Sequence, residues 1–106
     1  MGRYEVVEIE KRGEIRLVHY HITVHGRVQG VGYRYFTQMK ASQFGITGWV
    51  KNLSEGGVEI VAVGEKENLE QFMESLQVGN PFSKVTDVNF TEIENTEPFH
   101  SFKIKY

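Results

Sequence analysis

The residues best suited to chemistry in this 106-residue sequence form one glycine-rich run, Gly26-Arg-Val-Gln-Gly-Val-Gly-Tyr-Arg34. Glycine allows the backbone positive φ angles and a close approach to a ligand. Successive N–H groups in such a bend can bind an anion, and a helix that starts there adds further free donors. Arg34 falls in the first turn of the helix described below, where its guanidinium can donate two parallel hydrogen bonds to phosphate. The run therefore predicts a phosphate-binding loop; the alternative is a glycine-rich turn with an arginine at the surface.

Two other phosphate-binding motifs fit this run less well. Gly30-Val31-Gly32 begins like a dinucleotide-binding fingerprint, but Tyr35 occupies the position of its third glycine. The run also lacks the Gly-Lys-Ser or Gly-Lys-Thr ending of a P-loop. A simple anion-binding loop is the interpretation that remains.

The elements on either side of the run must position it. The preceding segment alternates like a half-buried strand, with Tyr20, Ile22 and Val24 on one face and His19, His21, Thr23 and His25 on the other. After the run, positions 33, 36, 37, 40, 41 and 44 follow a helical period that is imperfect at Lys40, and Gly45 is a typical helix end. The loop is thus predicted to join a strand to a helix over Tyr33–Phe44.

The rest of the chain alternates between strands and a second helix. In order, we predict a strand over Ile46–Leu53, a turn over Ser54–Gly57, a strand over Val58–Val63, a helix that opens at Gly64 and stops at Gly79-Asn80-Pro81, a strand over Val85–Ile93, and a short strand after Pro98 with Phe102, Ile104 and Tyr106 on one face. The second helix has the clearest period, with Leu69, Phe72, Met73 and Leu76 at i, i+3, i+4 and i+7. The order predicts an α+β, ferredoxin-like split β-α-β-β-α-β sandwich, with two helices on one mostly antiparallel sheet and a short C-terminal strand.

This topology brings a second polar side chain to the loop. In a right-handed β-α-β crossover the first two strands run parallel with the third between them, so their C-terminal ends share one edge of the sheet. Arg34 follows the first strand, and Asn52 lies near the end of the second. The Asn52 amide could accept a hydrogen bond from a water and donate one to a phosphate oxygen. The alternative is that Asn52 only begins the hairpin turn, where asparagine is common.

Two segments of the chain resemble the signature segments of the acylphosphatase family. They are the loop Gly26–Arg34 and the stretch Gly48-Trp-Val-Lys-Asn52, which is followed by Gly56-Gly-Val-Glu59. The resemblance extends from about Ile22 to Tyr106. It implies a ferredoxin-like fold and hydrolysis of carboxyl-phosphate anhydrides to carboxylate and inorganic phosphate, without metal or cofactor.

The resemblance also implies roles for individual residues. As catalytic residues, Arg34 would bind the phosphoryl group and Asn52 would orient the attacking water. The backbone of the loop would form the phosphate cradle, through Gln29, Gly30, Val31, Gly32 and Tyr33. The protein is expected to act as a monomer on a small acyl phosphate, with inorganic phosphate as product and inhibitor. Two positions depart from the family pattern: Tyr33 stands where Phe is more common, and Glu55 where Asp is frequent.

The inventory of side chains suits this chemistry. Positioning and charge stabilisation do most of the work in phosphoryl transfer through a loose transition state. The leaving carboxylate has a pKa of about 4 to 5, as in Asp and Glu, so no general acid need protonate it. One arginine, one asparagine and a row of N–H groups are then sufficient.

Composition excludes several other classes of protein. Lys and Arg total 12 against 14 for Asp and Glu, and a formal charge of −2 argues against a nucleic-acid partner. The absence of Cys excludes disulfides and thiolate metal sites, and suits a reducing cytoplasm. No run approaches the roughly 20 apolar residues that span a bilayer, and the first residues lack the apolar stretch of a signal peptide. We therefore expect a cytoplasmic protein with no membrane partner.

The histidines do not predict a metal site. His21 and His25 would stand roughly 13 Å apart along a strand, at about 3.3 Å per residue. Ligands of one zinc lie at about 2.1 Å from the metal, and no carboxylate–histidine cluster is apparent in the sequence. A sheet histidine is the simpler description of His25, although its place just before the loop would let it tune that loop.

Residues 1–18 are predicted to form an N-terminal extension to an acylphosphatase-like domain over residues 19–106. The extension is either a hairpin that pairs Tyr4–Glu10 with Ile15–Val18 or a disordered tail. Two rival functions remain for the domain. One is a non-catalytic phosphate- or acyl-phosphate-binding module on the same fold. The other is an RNA-binding domain, which would need exposed aromatic residues that the strand Val58–Val63 lacks.

Overall fold

The computed structural model describes residues 16–94 and 99–106, which form two helices and a five-stranded sheet. In chain order the elements are β1 (Leu17–Arg27), α1 (Tyr33–Phe44), β2 (Thr47–Asn52), β3 (Val58–Glu65), α2 (Lys66–Val78), β4 (Lys84–Glu92) and β5 (Phe102–Lys105). This order confirms the ferredoxin-like α+β fold and the additional C-terminal strand. Across these described ranges, no helix is long and apolar enough to cross a membrane.

The sheet has the strand order β4-β1-β3-β2-β5. The central strand β3 pairs antiparallel with β1 and with β2, so that Ile60 lies beside both Ile22 and Val50. Strands β1 and β2 therefore run parallel to each other, and their C-terminal ends lie at the same edge of the sheet, as predicted. Strand β4 pairs antiparallel with β1, whereas β5 pairs parallel with β2.

The core lies between the sheet and the helices. The alternation predicted for β1 is confirmed, because Ile22 and Val24 are completely buried and Tyr20 is nearly so. Helix α1 buries Tyr33, Thr37 and Ala41, and helix α2 buries Leu69, Phe72 and Leu76. Lys40, which interrupts the apolar period of α1, donates a hydrogen bond to Gln43 Oε1 at 3.3 Å.

The second helix begins two residues later than the sequence pattern indicates. Gly64 was expected to open it, but Gly64 lies in β3 opposite Val18, and α2 starts at Lys66. A Cβ atom at Gly64 would lie 2.5 Å from Ile46 Cδ1. The glycine at position 64 therefore leaves room for the Ile46 side chain to approach the strand, and it does not start the helix.

The predicted boundary between the N-terminal extension and the domain, after residue 18, falls within β1. Leu17 and Val18, which the sequence analysis assigns to the extension, pair with Glu65 and Gly64 of β3. The hairpin predicted for Tyr4–Val18 otherwise lies outside the described residues. At the other end, β5 stops at Lys105, so Tyr106 follows the strand instead of continuing its face.

Substitution of Gly48 in β2 tests whether the close approach of β2 to β3 requires glycine. It has a φ of 138°, and a Cβ there would collide with the Val61 carbonyl oxygen of β3. We expect Gly48→Ala to lower the free energy of unfolding by roughly 3 kcal/mol or more, because both backbone strain and a backbone clash must be relieved. The measurement is chemical denaturation monitored by circular dichroism.

Gly45→Ala is the matched control for this substitution. Gly45 also has a positive φ, 69°, but a Cβ there meets nothing within 4 Å. Strain alone should then cost about 1 kcal/mol. Equal losses in the two variants would show that the contact between β2 and β3 does not require glycine.

Candidate active site

The predicted phosphate loop lies between β1 and α1, with its glycines in left-handed conformations. Gly30 has a φ of 75°, and Gly32, the residue that caps α1, has a φ of 76° and a ψ of 20°. The Gly32 carbonyl accepts the first helical hydrogen bond, from the Phe36 N–H at 3.0 Å. Within residues 16–94 and 99–106, no backbone carbonyl pairs with the N–H groups of residues 29–33. The loop therefore offers a row of free donors at a helix N-terminus, which suits an anion.

A side chain of the loop fastens it to the β2–β3 turn. Gln29 Nε2 donates to the Leu53 carbonyl at 2.7 Å and to the Gly57 carbonyl at 2.8 Å. The family resemblance implies only a backbone role for Gln29. These bonds add a second role, because they hold the loop beside the strand end that carries Asn52.

Arg34 is held at the C-terminal end of β5. Its Nη1 donates to the Lys105 carbonyl at 3.0 Å, and its Cζ lies 4.7 Å from the centre of the Tyr106 ring. A guanidinium has five N–H donors, so this bond leaves others available for a ligand. A carbonyl and an aromatic ring orient the cation without neutralising it.

Asn52 ends β2, opposite Val58 of β3, and its side chain is exposed. Arg34, Asn52 and the loop glycines line one cavity of about 180 Å³. Its full lining is Val28, Gly30, Gly32, Tyr33, Arg34, Tyr35, Asn52, Ile104 and Tyr106. The structure thus brings together five of the seven predicted site residues, whereas Gln29 and Val31 lie outside the lining.

Sequence reasoning missed the contributions of Tyr35, Ile104 and Tyr106 to this cavity. Tyr35 could have been placed there, since it neighbours Arg34 in the first turn of α1. Ile104 and Tyr106 reach the site because β5 pairs parallel with β2, through contacts such as Val50 with Ile104. A local pattern does not indicate which strand a short C-terminal segment joins.

The Tyr33 hydroxyl makes its hydrogen bond within the core. It donates to the Leu76 carbonyl of α2 at 2.7 Å, and burial raises its pKa above the ordinary value. The phenol therefore stays protonated and does not supply a base to the cavity.

Glu55, in the turn after Asn52, is also tied to its neighbours. The Gly57 N–H donates to Glu55 Oε1 at 3.0 Å, and His25 Nε2 lies 3.2 Å from Oε2. The Gly57 hydrogen bond, followed by the bond to His25, lowers the pKa of Glu55. Its carboxylate therefore remains charged and stabilises the turn.

Two histidines of β1, His21 and His25, each pair with a different glutamate. His25 contacts Glu55, and His21 Nε2 lies 2.7 Å from Glu59 Oε2. The His21 hydrogen bond is the largest cause that lowers the pKa of Glu59. Over the described part of the chain, no group of three or more His, Cys, Asp or Glu side chains could hold a metal ion.

Comparisons with known proteins show the family of this chain. Residues 20–104 match the Acylphosphatase family model. The acylphosphatase of Bacillus licheniformis is 51% identical over 90 residues, which cover 85% of this chain and 100% of that protein. The acylphosphatase of Bacillus subtilis is 50% identical over the same share of this chain and 99% of its own length.

Solved structures give the same result. The crystal structure of the Bacillus subtilis acylphosphatase superposes with a TM-score of 0.81 at 50% identity, covering 84% of this chain and 99% of that one. An acylphosphatase from Coxiella burnetii gives a TM-score of 0.79 at 42% identity, over 84% and 93% of the two chains. Since the family model and these relatives span both the phosphate loop and the strand that carries Asn52, the chain belongs to the acylphosphatase family.

Proposed function

We propose that Arg34, Asn52 and the backbone of residues 29–33 are the groups that hydrolyse acyl phosphates, which is the reaction that family membership assigns to this enzyme. One observation carries the proposal: Arg34, Asn52 and the loop glycines line a single small cavity at the ends of β1 and β2. Its volume, about 180 Å³, is large enough for a phosphoryl group. Each group has a separate part in the reaction.

The loop and Arg34 bind the phosphoryl group. Free N–H groups at the start of α1 donate to its oxygens, and the helix end adds a partial positive charge. The guanidinium donates further bonds and compensates the charge that builds up on the oxygens in the transition state. Its contact with the Lys105 carbonyl supports a fixed orientation before substrate arrives.

Asn52 orients the attacking water. Its carbonyl oxygen accepts a hydrogen bond from the water, while its NH₂ donates to a phosphoryl oxygen. An amide can lie beside an anion without repelling it, which a carboxylate cannot. Attack of the water oxygen on phosphorus forms the new P–O bond as the bond to the acyl oxygen breaks. The acyl group leaves as a carboxylate, and the protons of the water remain on the phosphate product.

The lining of the cavity suits a reaction without a general acid or a metal. Its described residues include no Asp, Glu, His or Lys. The leaving carboxylate is stable at neutral pH, with a pKa of about 4 to 5, and needs no proton. The same lining offers no carboxylate or imidazole ligand for a divalent ion. We further propose that the enzyme acts as a monomer, because one chain supplies every group named above. We also propose a cytoplasmic location, because a sequence without Cys suits a reducing compartment.

Arg34 substitutions test the binding of the phosphoryl group. We expect Arg34→Ala to lower kcat/KM for benzoyl phosphate by about a hundredfold or more, as for loss of one preorganised donor in a transition state. Arg34→Lys should not restore activity, because a point charge cannot reproduce a planar two-bond contact. Arg27→Ala is the matched control, since Arg27 lies in the same run but outside the cavity lining. Near-normal turnover in folded Arg34→Ala would remove Arg34 from the mechanism.

Asn52 substitutions separate an enzyme from a module that only binds phosphate. Asn52→Ala should reduce kcat strongly and weaken phosphate inhibition much less, because one donor to the anion is lost while Arg34 and the loop still bind it. Asn52→Asp should also weaken phosphate binding, since a carboxylate would face the anion. Asn89→Ala, an exposed asparagine of β4, is the control. An unchanged kcat in Asn52→Ala, with the fold confirmed by circular dichroism, would contradict the role of Asn52.

Anions and chelators test the nature of the site without mutation. Inorganic phosphate and sulfate should compete with benzoyl phosphate, since both present a tetrahedral anion to the loop. A chelator should leave the steady-state rate unchanged. Activity that disappears with chelator and returns with an added divalent metal would argue for a metal site instead.

A further inference from the structure

We infer that Asn80 is a positioning residue for the phosphate loop, an inference that rests on the function proposed above. Asn80 lies just after α2, 49 residues along the chain from Val31. Its Nδ2 donates a 2.9 Å hydrogen bond to the Val31 backbone carbonyl, inside the loop. Asn80 does not line the cavity, so it acts on the anion through the loop and not by contact.

A rigid turn presents the Asn80 side chain. The Asn80 N–H donates to Ser83 Oγ at 3.0 Å, and the same hydroxyl donates to the Asn80 carbonyl at 3.0 Å. The Ser83 N–H also donates to that carbonyl at 3.2 Å, which closes a four-residue turn. Pro81 occupies the second position of this turn, where its fixed φ is favoured. The Asn80 side chain is therefore attached to a backbone that has little conformational freedom.

The hydrogen bond to Val31 sets the direction of one donor in the cradle. The peptide between Val31 and Gly32 is planar and trans, so its C=O and N–H groups point in opposite directions. With the Val31 carbonyl bound to Asn80, the Gly32 N–H points away from Asn80. Gly32 lines the cavity, where an N–H with this direction can donate to the anion. Without Asn80 the peptide could rotate and turn a carbonyl oxygen toward the phosphate, which would repel it.

The pattern of bonds distinguishes this role from that of an ordinary turn residue. An asparagine at the start of a turn commonly uses its side-chain oxygen to accept a backbone N–H nearby. Here Asn80 Oδ1 is buried and has no hydrogen-bond partner in the described part of the chain. The hydrogen bond that the side chain makes is the one to the loop, and Ser83 supplies the side-chain bonds that close the turn.

Asn80→Ala and Ser83→Ala form a matched pair of test variants. In Asn80→Ala, KM for benzoyl phosphate and the dissociation constant of inorganic phosphate should both rise about five- to tenfold, as expected for one lost hydrogen bond. The value of kcat should change much less, because the Gly32 N–H binds phosphate in substrate and transition state alike. Ser83→Ala removes the hydroxyl from the turn but keeps the Asn80 side chain and the Ser83 N–H bond to the Asn80 carbonyl. It should therefore lower the unfolding temperature and raise both constants clearly less than Asn80→Ala does.

Calorimetric titration with phosphate keeps this test independent of turnover. A folded Asn80→Ala variant with wild-type KM and phosphate affinity would overturn the inference, as would an equal loss of affinity in Ser83→Ala. If Asn80→Ala does not fold, Asn80→Ser keeps a small polar side chain in the turn and carries the same expectation. A wild-type protein that binds phosphate but releases none from benzoyl phosphate would overturn the proposed function. The calorimetric titration of Asn80→Ala with phosphate would then still test the role of Asn80.

Discussion

A phosphate site made of backbone N–H groups requires that the carbonyl oxygens of the same peptides point elsewhere. Each of those oxygens must also find a partner, since an unpaired buried carbonyl is costly. In this loop the Gly32 carbonyl bonds to the Phe36 N–H of α1, and the Val31 carbonyl bonds to Asn80 after α2. Gln29 in turn bonds to two carbonyls of the β2–β3 turn. The shape of the loop therefore depends on three other parts of the chain.

A similar constraint applies to the guanidinium of Arg34, whose partners must leave its charge available. Among the described residues, Arg34 is oriented by the Lys105 carbonyl and by the ring of Tyr106, and pairs with no carboxylate. A carboxylate partner would compete with the phosphoryl group for the guanidinium and cancel much of its charge. Neutral partners fix the geometry and leave the full positive charge for the anion. This arrangement needs β5 beside β2, which explains why a four-residue strand at the sheet margin bears on the site.

Much of this arrangement could be predicted from the sequence, because it depends on local patterns and on one topological rule. The alternation of β1 and the span of α1 follow from side-chain period, and the juxtaposition of Arg34 and Asn52 follows from the right-handed crossover. The contacts of Tyr106 and Asn80 could not be predicted in the same way. Each joins segments far apart in the chain, and each depends on register and side-chain direction that no short pattern specifies.

The end of α2 supports the loop from two sides. The Tyr33 hydroxyl donates to the Leu76 carbonyl in the last turn of α2, and Asn80, two residues after the helix, donates to Val31. A phenylalanine at position 33 could not make the first of these bonds. Because burial raises the pKa of Tyr33, its hydroxyl remains a donor. Any shift of α2 relative to α1 would therefore move both bonds, so the packing of the two helices contributes to the preorganisation of the proposed phosphate loop.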